Sequence, residues 1–315
     1  MNKYALGIDT SNYTTSVAIV DPEGNIISDV RKLVNVKQGE KGLRQSYALF
    51  QHVESLPILF KEAMEGNHGK IGAVSVSVRP RPLADSYMPV FKAGESFASV
   101  VSSALDVPLY TFSHQEGHIE AVKWYSQLKD EDDLLSYHLS GGTCELLKVI
   151  KGNIEILGGT KDISFGQVLD RIGVTLGMQF PCGDKLDQIA LDTACETHFL
   201  KDISLDGMWM NLSGIETQAL RILQTHCAGP ETDGMIKEIF NKICKCLFKI
   251  TENAISQTRI SNVLFSGGVC ASRFIRSKLL SDLKAIGIKA EFGSQKLSSD
   301  NAVGIALLGG KKLWL

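Results

Sequence analysis

The sequence predicts an α/β protein built from two related lobes. Each half of the chain opens with three short apolar segments separated by turn residues, at 4–30 and at 134–157, and this pattern is typical of a three-stranded meander. Alternating helix-like and strand-like segments follow each meander, which indicates an α/β architecture. We therefore expect a duplicated fold with a mixed β-sheet in each lobe.

The overall composition narrows the class of protein. The chain has 315 residues, of which 44% are hydrophobic, and its formal net charge is −2. It is long enough for two lobes, but it lacks the excess positive charge of a free-standing nucleic-acid binder, so contact with RNA would need a local basic patch or a partner. Its seven cysteines include no Cys-x-x-Cys pair and are expected to be free thiols in a reducing compartment. The polar start of the sequence and the shortness of its apolar segments predict a cytoplasmic protein without a membrane partner.

The first lobe is expected to contain residues 1–131 and to be completed by a C-terminal helix at 299–315. After the meander, we predict helices at 43–65 and 87–105, strands at 71–78 and 108–112, and a helix from His114 through Trp124. The apolar residues of the helix at 43–65 are expected to share its buried side, namely Tyr47, Phe50, Val53, Leu56, Leu59 and Phe60.

The second lobe is expected to contain residues 132–298, with a helical insertion at about 160–230. We predict helices at 164–176, 185–194, 212–226, 235–257 and 271–286, and strands at 262–265 and 288–292. The last helix of the chain is predicted to begin at Ser299 or Asp300. Considered alone, Asp300 is expected to be the N-cap of that helix, because the helix dipole stabilises an acidic residue there.

Three glycine-containing turns follow apolar strands, at Gly7–Ser11, Ser140–Gly142 and Ser266–Gly268. Glycine lets backbone amides approach a phosphate or an adenine ring closely. The first turn alone is more typical of an ordinary hairpin than of a phosphate-binding turn. Taken in order, the three turns resemble the nucleotide-binding elements of the actin, sugar-kinase and Hsp70 (ASKHA) superfamily, which implies a fold that binds a nucleotide between two related lobes.

Two histidines four residues apart, His114 and His118, lie on the same face of a predicted helix. This spacing lets both imidazoles reach one metal ion, but a metal site needs at least a third ligand. Considered with the histidines, Asp300 is the candidate for that ligand. A His-His-Asp set suits zinc or iron and leaves coordination positions open for a substrate.

Several short motifs occur along nearly the whole chain in the order found in one enzyme family. They are His-x-Glu-Gly-His at 114–118, Ser-Gly-Gly at 140–142, Gly-x-x-x-Asp-Arg at 166–171, Gly-Gly-Val at 267–269 and Asp-Asn-x-x-x-Ile-Ala at 300–306. Through these motifs the chain resembles the tRNA threonylcarbamoyladenosine-synthesis transferases (TsaD), a family formerly named O-sialoglycoprotein endopeptidases.

This resemblance implies transfer of a threonylcarbamoyl group from threonylcarbamoyl-AMP to N6 of the adenosine 3′ of the anticodon in tRNA. It implies that His114, His118 and Asp300 hold one divalent metal ion, iron or zinc with iron favoured, that polarises the transferred group. It also implies an ATP- or AMP-type adenylate ligand. The implied partners are tRNA, a smaller paralogue of the same fold and a P-loop ATPase.

The same resemblance assigns the residues that bind substrate and nucleotide. They are His138, Leu139, Ser140, Gly141, Gly142, Asp170, Gly183, Gly267, Gly268 and Ser272. Among them, Asp170 is expected to accept hydrogen bonds from ribose hydroxyls, and Gly267 and Gly268 are expected to lie against adenine. The candidates for a catalytic role besides the metal are Asp9, Thr10 and Ser11.

The sequence departs from the family pattern at several functional positions, which are Asn12, Tyr13, Thr14, Thr143, Ser272, Glu216 and the loop Arg79-Pro80-Arg81-Pro82. The resemblance predicts an adenosine-site asparagine at Ser272 and a lysine at Glu216. These departures leave open a non-catalytic, nucleotide- and metal-binding regulatory or scaffold paralogue. A metalloprotease is less favoured, because Gln115 stands where such sites place a glutamate directly after the first histidine. A small-molecule kinase would follow from the fold alone.

Overall fold

The computed structural model describes residues 3–11, 13–35, 44–83, 85–224 and 229–314. The predictions that concern Asn12, Leu43 and His226 lie outside these ranges. The chain divides into two compact units, of which the first contains Met1–Tyr125 and Ser299–Leu315 and the second contains Ser126–Ser298. The C-terminal segment therefore returns to the first unit.

Over the described residues, the first unit has a five-stranded sheet in the order β3-β2-β1-β4-β5. The strands are β1 Tyr4–Thr10, β2 Thr14–Val20, β3 Ile26–Leu33, β4 Ile71–Arg79 and β5 Leu109–Ser113. The first three are antiparallel neighbours, as the predicted meander requires, whereas β4 is parallel to β1 and β5 is parallel to β4. The carboxyl ends of β1, β4 and β5 therefore lie at the same edge of the sheet.

Helices α1 Gln45–Met64, α2 Phe91–Leu105 and α3 His114–Trp124 connect or follow these strands. The predicted buried side of α1 is wrong for three residues, because Tyr47, Phe50 and Val53 are 43%, 59% and 57% exposed. The helix instead buries a stripe at helical spacing, made of Ala48, His52, Leu56, Leu59 and Ala63. Tyr47, Phe50 and Val53 follow one another at intervals of three residues. Because a helix has 3.6 residues per turn, side chains at that interval move progressively around the helix and leave the buried stripe, which explains the error.

The second unit has a seven-stranded sheet within the described ranges, in the order β12-β11-β6-β7-β8-β10-β9. Its strands are β6 Asp133–Leu139, β7 Cys144–Ile150, β8 Asn153–Thr160, β9 Ser204–Asp206, β10 Trp209–Asn211, β11 Asn262–Ser266 and β12 Lys289–Phe292. The predicted meander is present as β6, β7 and β8. Strand β11 lies parallel to β6, so the two Ser-Gly-Gly turns follow neighbouring strand ends.

The segment at about 160–230, predicted to be helical, contains the hairpin β9–β10 as well as helices. Three-residue strands are too short to show a period of two in the sequence, so pattern analysis did not find them. The hairpin turns at Gly207, which has φ +64°, and β10 pairs with β8 at Gly159. A side chain at Gly158 would lie 2.2 Å from the Met208 carbonyl oxygen, so glycine is needed for this approach.

The helices of the second unit are α4 Phe165–Thr175, α5 Gly183–Asp192, α6 Ser213–Leu223, α7 Pro230–Thr258, α8 Arg273–Ala285 and α9 Gln295–Ser298. They cover a core in which the rings of Tyr137, Phe265 and Phe292 stack in succession. The chain then returns to the first unit with α10 Val303–Trp314.

The prediction that Asp300 caps the last helix is wrong, because α10 begins at Val303. The Val303 N–H donates instead to the side chain of Asn301 at 3.0 Å, which leaves the carboxylate of Asp300 available for other contacts.

Among the described residues, no helix combines the length and apolar character needed to cross a bilayer.

Candidate metal centre and nucleotide-binding turns

The first turn of α3 is fixed by reciprocal capping. Ser113 Oγ accepts a hydrogen bond from the Glu116 N–H at 3.2 Å, and the Ser113 N–H donates to Glu116 Oε2 at 2.6 Å. This capping box satisfies free amides at the start of the helix. His114 is therefore held at the first helical position, directly after β5, and His118 lies one turn further on.

The structure brings the two histidines and Asp300 together. His118 Nε2 lies 3.0 Å from His114 Nε2, and Asp300 Oδ1 lies 3.3 Å from His118 Nε2 and 3.5 Å from His114 Nε2. Zinc binds histidine nitrogen and carboxylate oxygen at about 2.0–2.2 Å, so ligand atoms around one ion are about 3.0–3.5 Å apart. The distances between the three donor atoms thus match the edges of one coordination polyhedron, with a donor atom at each corner.

A close crossing of α3 and α10 brings Asp300 to the histidines. A Cβ atom at Gly304 would lie 1.8 Å from the Gly117 carbonyl oxygen, and a Cβ atom at Gly117 would lie 2.8 Å from Ile305 Cδ1. The two helices can approach this closely only because both residues are glycines. Gly117 is therefore the residue of the histidine motif that packs against α10.

Arg31 of β3, at the opposite edge of the sheet, binds the backbone of Asp300. Arg31 pairs through two hydrogen bonds of 2.7 Å with Asp29, and its Nη1 donates to the carbonyl oxygen of Asp300 at 3.2 Å. Nothing in the sequence indicates this role of Arg31, because 269 positions separate it from Asp300.

Asp9 is buried at the end of β1 and binds His114. The His114 Nδ1 lies 2.8 Å from Asp9 Oδ1, which also accepts a hydrogen bond of 2.6 Å from Ser77 Oγ. The Ser11 N–H donates to the other carboxylate oxygen at 3.3 Å. A carboxylate at Nδ1 fixes the tautomer in which Nε2 carries the lone pair, as metal-binding histidines require. Thr10 contacts the start of α2 instead, since its Oγ1 donates to the Val90 carbonyl at 3.1 Å and accepts from the Gly94 N–H at 3.2 Å.

Electrostatics at this cluster favour a cation. Burial opposes protonation of His114, but the carboxylates of Asp9 and Asp300 outweigh it and raise the pKa of His114 to about 10. Burial and the positive charge of His114 lower the pKa of His118. Burial alone would raise the pKa of Asp300, but its hydrogen bonds to both histidines hold it well below its ordinary value. A divalent cation bound at Nε2 of His114 would replace the proton held there. The donor set, the tautomer and the charge therefore fit a metal ion.

In the second unit, the Ser140–Gly142 turn is closed by its own serine. Ser140 Oγ accepts hydrogen bonds from the N–H groups of Gly142 at 3.3 Å and of Thr143 at 2.9 Å. A Cβ atom at Gly141 or Gly142 would meet nothing within 4 Å, so space lies open beside this backbone. At Gly166 of α4, a Cβ atom would lie 2.5 Å from Gly141 Cα, and glycine there lets the helix N-terminus approach the turn.

The Ser266–Gly268 turn lies beside the Ser140–Gly142 turn. Gly267 has φ +94°, and a Cβ atom there would lie 2.4 Å from the Leu139 carbonyl oxygen. Ser266 pairs with His138 across β11 and β6. Several predicted nucleotide residues therefore lie together at the carboxyl ends of β6 and β11. They are His138, Leu139, Ser140, Gly141, Gly142, Gly267 and Gly268.

Three other predicted nucleotide residues lie in α4, at the start of α5 and at the N-cap of α8. Asp170 of α4 accepts a hydrogen bond from the Cys182 N–H at 2.8 Å, and burial raises its pKa. Gly183 is the first residue of α5. Ser272 caps α8 by accepting from the Ile275 N–H at 3.1 Å, and its hydroxyl also donates to Asp187. Nothing in the sequence indicates that Asp187 binds Ser272, because an acidic residue within an amphipathic helix has no distinctive sequence pattern.

The sequence of this chain is similar to those of known proteins. A family model described as tRNA N6-adenosine threonylcarbamoyltransferase matches residues 36–307. A protein of that name from Thermosipho melanesiensis is 28% identical over 309 residues, covering 97% of this chain and 94% of the relative. A probable bifunctional tRNA threonylcarbamoyladenosine biosynthesis protein from Methanothermobacter thermautotrophicus is also 28% identical over 96% of this chain, which spans only 55% of that relative's length.

Solved structures show the fold. Full-length HypF in its phosphate- and nucleotide-bound form matches 99% of this chain and 46% of its own, with a TM-score of 0.62 and 12% identity. Component A of (R)-2-hydroxyglutaryl-CoA dehydratase from Acidaminococcus fermentans matches 99% of this chain and 100% of its own, with a TM-score of 0.59 and 14% identity. A ROK-family glucokinase from Streptomyces griseus has a TM-score of 0.55 at 12% identity, covering 98% of this chain and 99% of its own. The predicted actin, sugar-kinase and Hsp70-like fold is thus confirmed, and this chain belongs to the tRNA N6-adenosine threonylcarbamoyltransferase family.

Proposed function

We propose that this chain transfers a threonylcarbamoyl group from threonylcarbamoyl-AMP to N6 of the adenosine 3′ of the anticodon in tRNA. The observation that carries the proposal is the triangle of His114 Nε2, His118 Nε2 and Asp300 Oδ1, backed by Asp9, in a chain of this family. A divalent metal ion held by these three residues would supply a Lewis acid that polarises the carbonyl of the transferred group.

The residues of the chain have separate tasks in this proposal. Asp9 orients His114 and is thus a positioning residue, while Ser77 and the Ser11 amide hold Asp9 in place. In the second unit, the open backbone of Gly141 and Gly142 provides amides for phosphate and carbamoyl oxygens. The remaining predicted nucleotide residues, His138, Leu139, Asp170, Gly183, Gly267, Gly268 and Ser272, shape an adenylate site.

The implied cofactor and partners belong to the same proposal. The donor set suits iron or zinc, and the family resemblance favours iron. We propose that the reaction takes place in the cytoplasm. There, tRNA, a smaller paralogue of this fold and a P-loop ATPase would be the partners. The chain's net charge of −2 agrees with a need for partners in tRNA binding.

The proposal is tested in two steps. First, this gene is expressed in cells depleted of their own transferase, and threonylcarbamoyladenosine in tRNA is measured. Second, the purified chain is assayed with its proposed partners on unmodified tRNA. The double variant His114→Ala/His118→Ala should lose both bound metal and activity while keeping its fold. Absence of the modified nucleoside in both assays with the unaltered chain would reject the proposed activity.

A non-catalytic regulatory or scaffold role is the second candidate, and two contacts favour it. Glu216 forms an ion pair of 3.0 Å with Arg171 at a position where the family resemblance predicts lysine. The hydroxyl of Ser272, which replaces the expected adenosine-site asparagine, is engaged with Asp187. Deletion of the gene distinguishes the candidates, since a regulatory protein that leaves modification intact would give an undiminished amount of the modified nucleoside.

A further inference from the structure

Strand β4 ends in the loop Arg79-Pro80-Arg81-Pro82, to which the proposed reaction gives no task. Arg79 is half-buried. Its Nε atom is out of contact with solvent and has no hydrogen-bond partner. Within the part of the chain that the structure describes, no ion pair or hydrogen bond engages its guanidinium.

Other half-buried arginines of the chain do have partners. Arg31 binds the carboxylate of Asp29, and Arg276 donates to the carbonyl oxygens of Cys270 and Gly293. A buried N–H group without a hydrogen-bond partner, such as the Nε–H of Arg79, costs free energy because its lost hydration is not replaced. Arg79 therefore lacks a structural reason for its position.

The loop is joined to the metal centre through the backbone. Arg79 pairs with Ser113 across β4 and β5, and strands of a sheet are about 5 Å apart. The next residue, Pro80, accepts a hydrogen bond of 3.0 Å from the Gln115 N–H. Ser113 and Gln115 flank His114. The two prolines fix the φ angles of the loop, so the arginine is presented from a rigid backbone.

Charge indicates what Arg79 would bind. The carboxylates of Asp9 and Asp300 supply two negative charges to the cluster, which a divalent cation would balance. Arg79 then adds a positive charge for an anionic ligand. The planar fork of a guanidinium matches the oxygen pairs of carboxylate and phosphate groups.

We propose that Arg79 is a specificity-determining residue that pairs with an oxyanion of the ligand bound at the metal centre. The identity of that ligand rests on the proposed function. Threonylcarbamoyl-AMP carries such oxyanions in two places, the threonyl carboxylate and the phosphate. Both the carboxylate and the phosphate present a pair of oxygens that the guanidinium of Arg79 can bind through two parallel hydrogen bonds.

Calorimetric titration of the metal-loaded, full-length protein tests this proposal. The probes are N-carbamoyl-L-threonine, which carries only the carboxylate, and AMP, which carries only the phosphate. We expect Arg79→Gln to weaken binding of one probe at least about tenfold, because a charge-assisted pair is lost, and Arg79→Lys to recover part of the loss. The affected probe identifies the oxyanion. The control is Lys61→Gln, which removes the same charge at an exposed position in the last turn of α1.

A second measurement separates ligand binding from a structural role. Urea unfolding of metal- and ligand-free protein should show Arg79→Gln to be at least as stable as the unaltered chain, since the buried Nε–H group without a partner is removed. Lower stability of this variant, equal probe affinities in variant and unaltered protein, or failure of the unaltered protein to bind either probe would each overturn the proposal. If threonylcarbamoyl transfer fails while Arg79-dependent binding persists, only the proposed function is rejected.

Discussion

The crossing of α3 and α10 gives the most direct test of how the candidate metal centre is assembled. In Gly304→Ala, the new Cβ atom would lie 1.8 Å from the Gly117 carbonyl oxygen, whereas real Cβ contacts stay above 3.0 Å. The helices must therefore separate by about 1.2 Å, well beyond the roughly 0.2 Å tolerance of metal–ligand distances. The separation moves Asp300 away from both histidines.

We expect Gly304→Ala to lower the affinity for the metal about 10- to 100-fold and the free energy of unfolding by about 2–4 kcal/mol. Metal affinity is measured by competition with a chelator, and stability by urea unfolding of the metal-free protein. The matched control is Gly214→Ala in α6, where a Cβ atom meets nothing within 4 Å. This control should keep both properties, because alanine favours a helix.

A milder variant keeps the reasoning testable if Gly304→Ala does not fold. Gly117→Ala places its Cβ atom 2.8 Å from Ile305 Cδ1, the end of a flexible side chain. Its loss of metal affinity should be smaller and should be partly reversed by Ile305→Val, which removes that methyl group. Unchanged metal affinity in a folded Gly304→Ala protein would refute the claim that this crossing sets the ligand geometry.

Three further predictions follow from individual contacts. Asp9→Asn should lower metal affinity about 10- to 100-fold, because His114 loses the carboxylate that orients it, while exposed Asp85→Asn should not; chelator competition decides. Asp162 accepts hydrogen bonds from the Leu212 and Ser213 N–H groups, which outweigh its partial burial and lower its pKa to about 2. These hydrogen bonds therefore stabilise the fold above about pH 4, and the stabilisation is lost as the pH falls toward 2. Because Asp162 is exposed and solvent screens its charge, Asp162→Asn should lower the free energy of unfolding by only about 1 kcal/mol at pH 7 and by less at pH 3; an equal loss at both values would contradict this. Gly267→Ala should destabilise the protein by about 2–4 kcal/mol, since it combines φ +94° with a clash against Leu139, whereas Gly141→Ala should leave urea unfolding nearly unchanged and weaken AMP binding instead.

The pattern of the sequence was sufficient to predict two local features of the fold. Alternating apolar segments predicted both meanders, and the confirmed fold contains them as β1–β3 and β6–β8. The spacing of His114 and His118 placed both imidazoles on one helical face. These features depend on neighbours within a few residues, so they are encoded locally.

Contacts between distant residues were decided by the tertiary structure. Asp300 reaches the histidines because α10 crosses α3 at two glycines, and it is free to do so because Asn301 accepts from the first amide of the helix. The exposed side of α1, the hairpin β9–β10 and the bond between Asp9 and His114 likewise depend on which elements pack together. Sequence patterns report the period of an element, whereas its packing partner is set by the free energy of the whole fold.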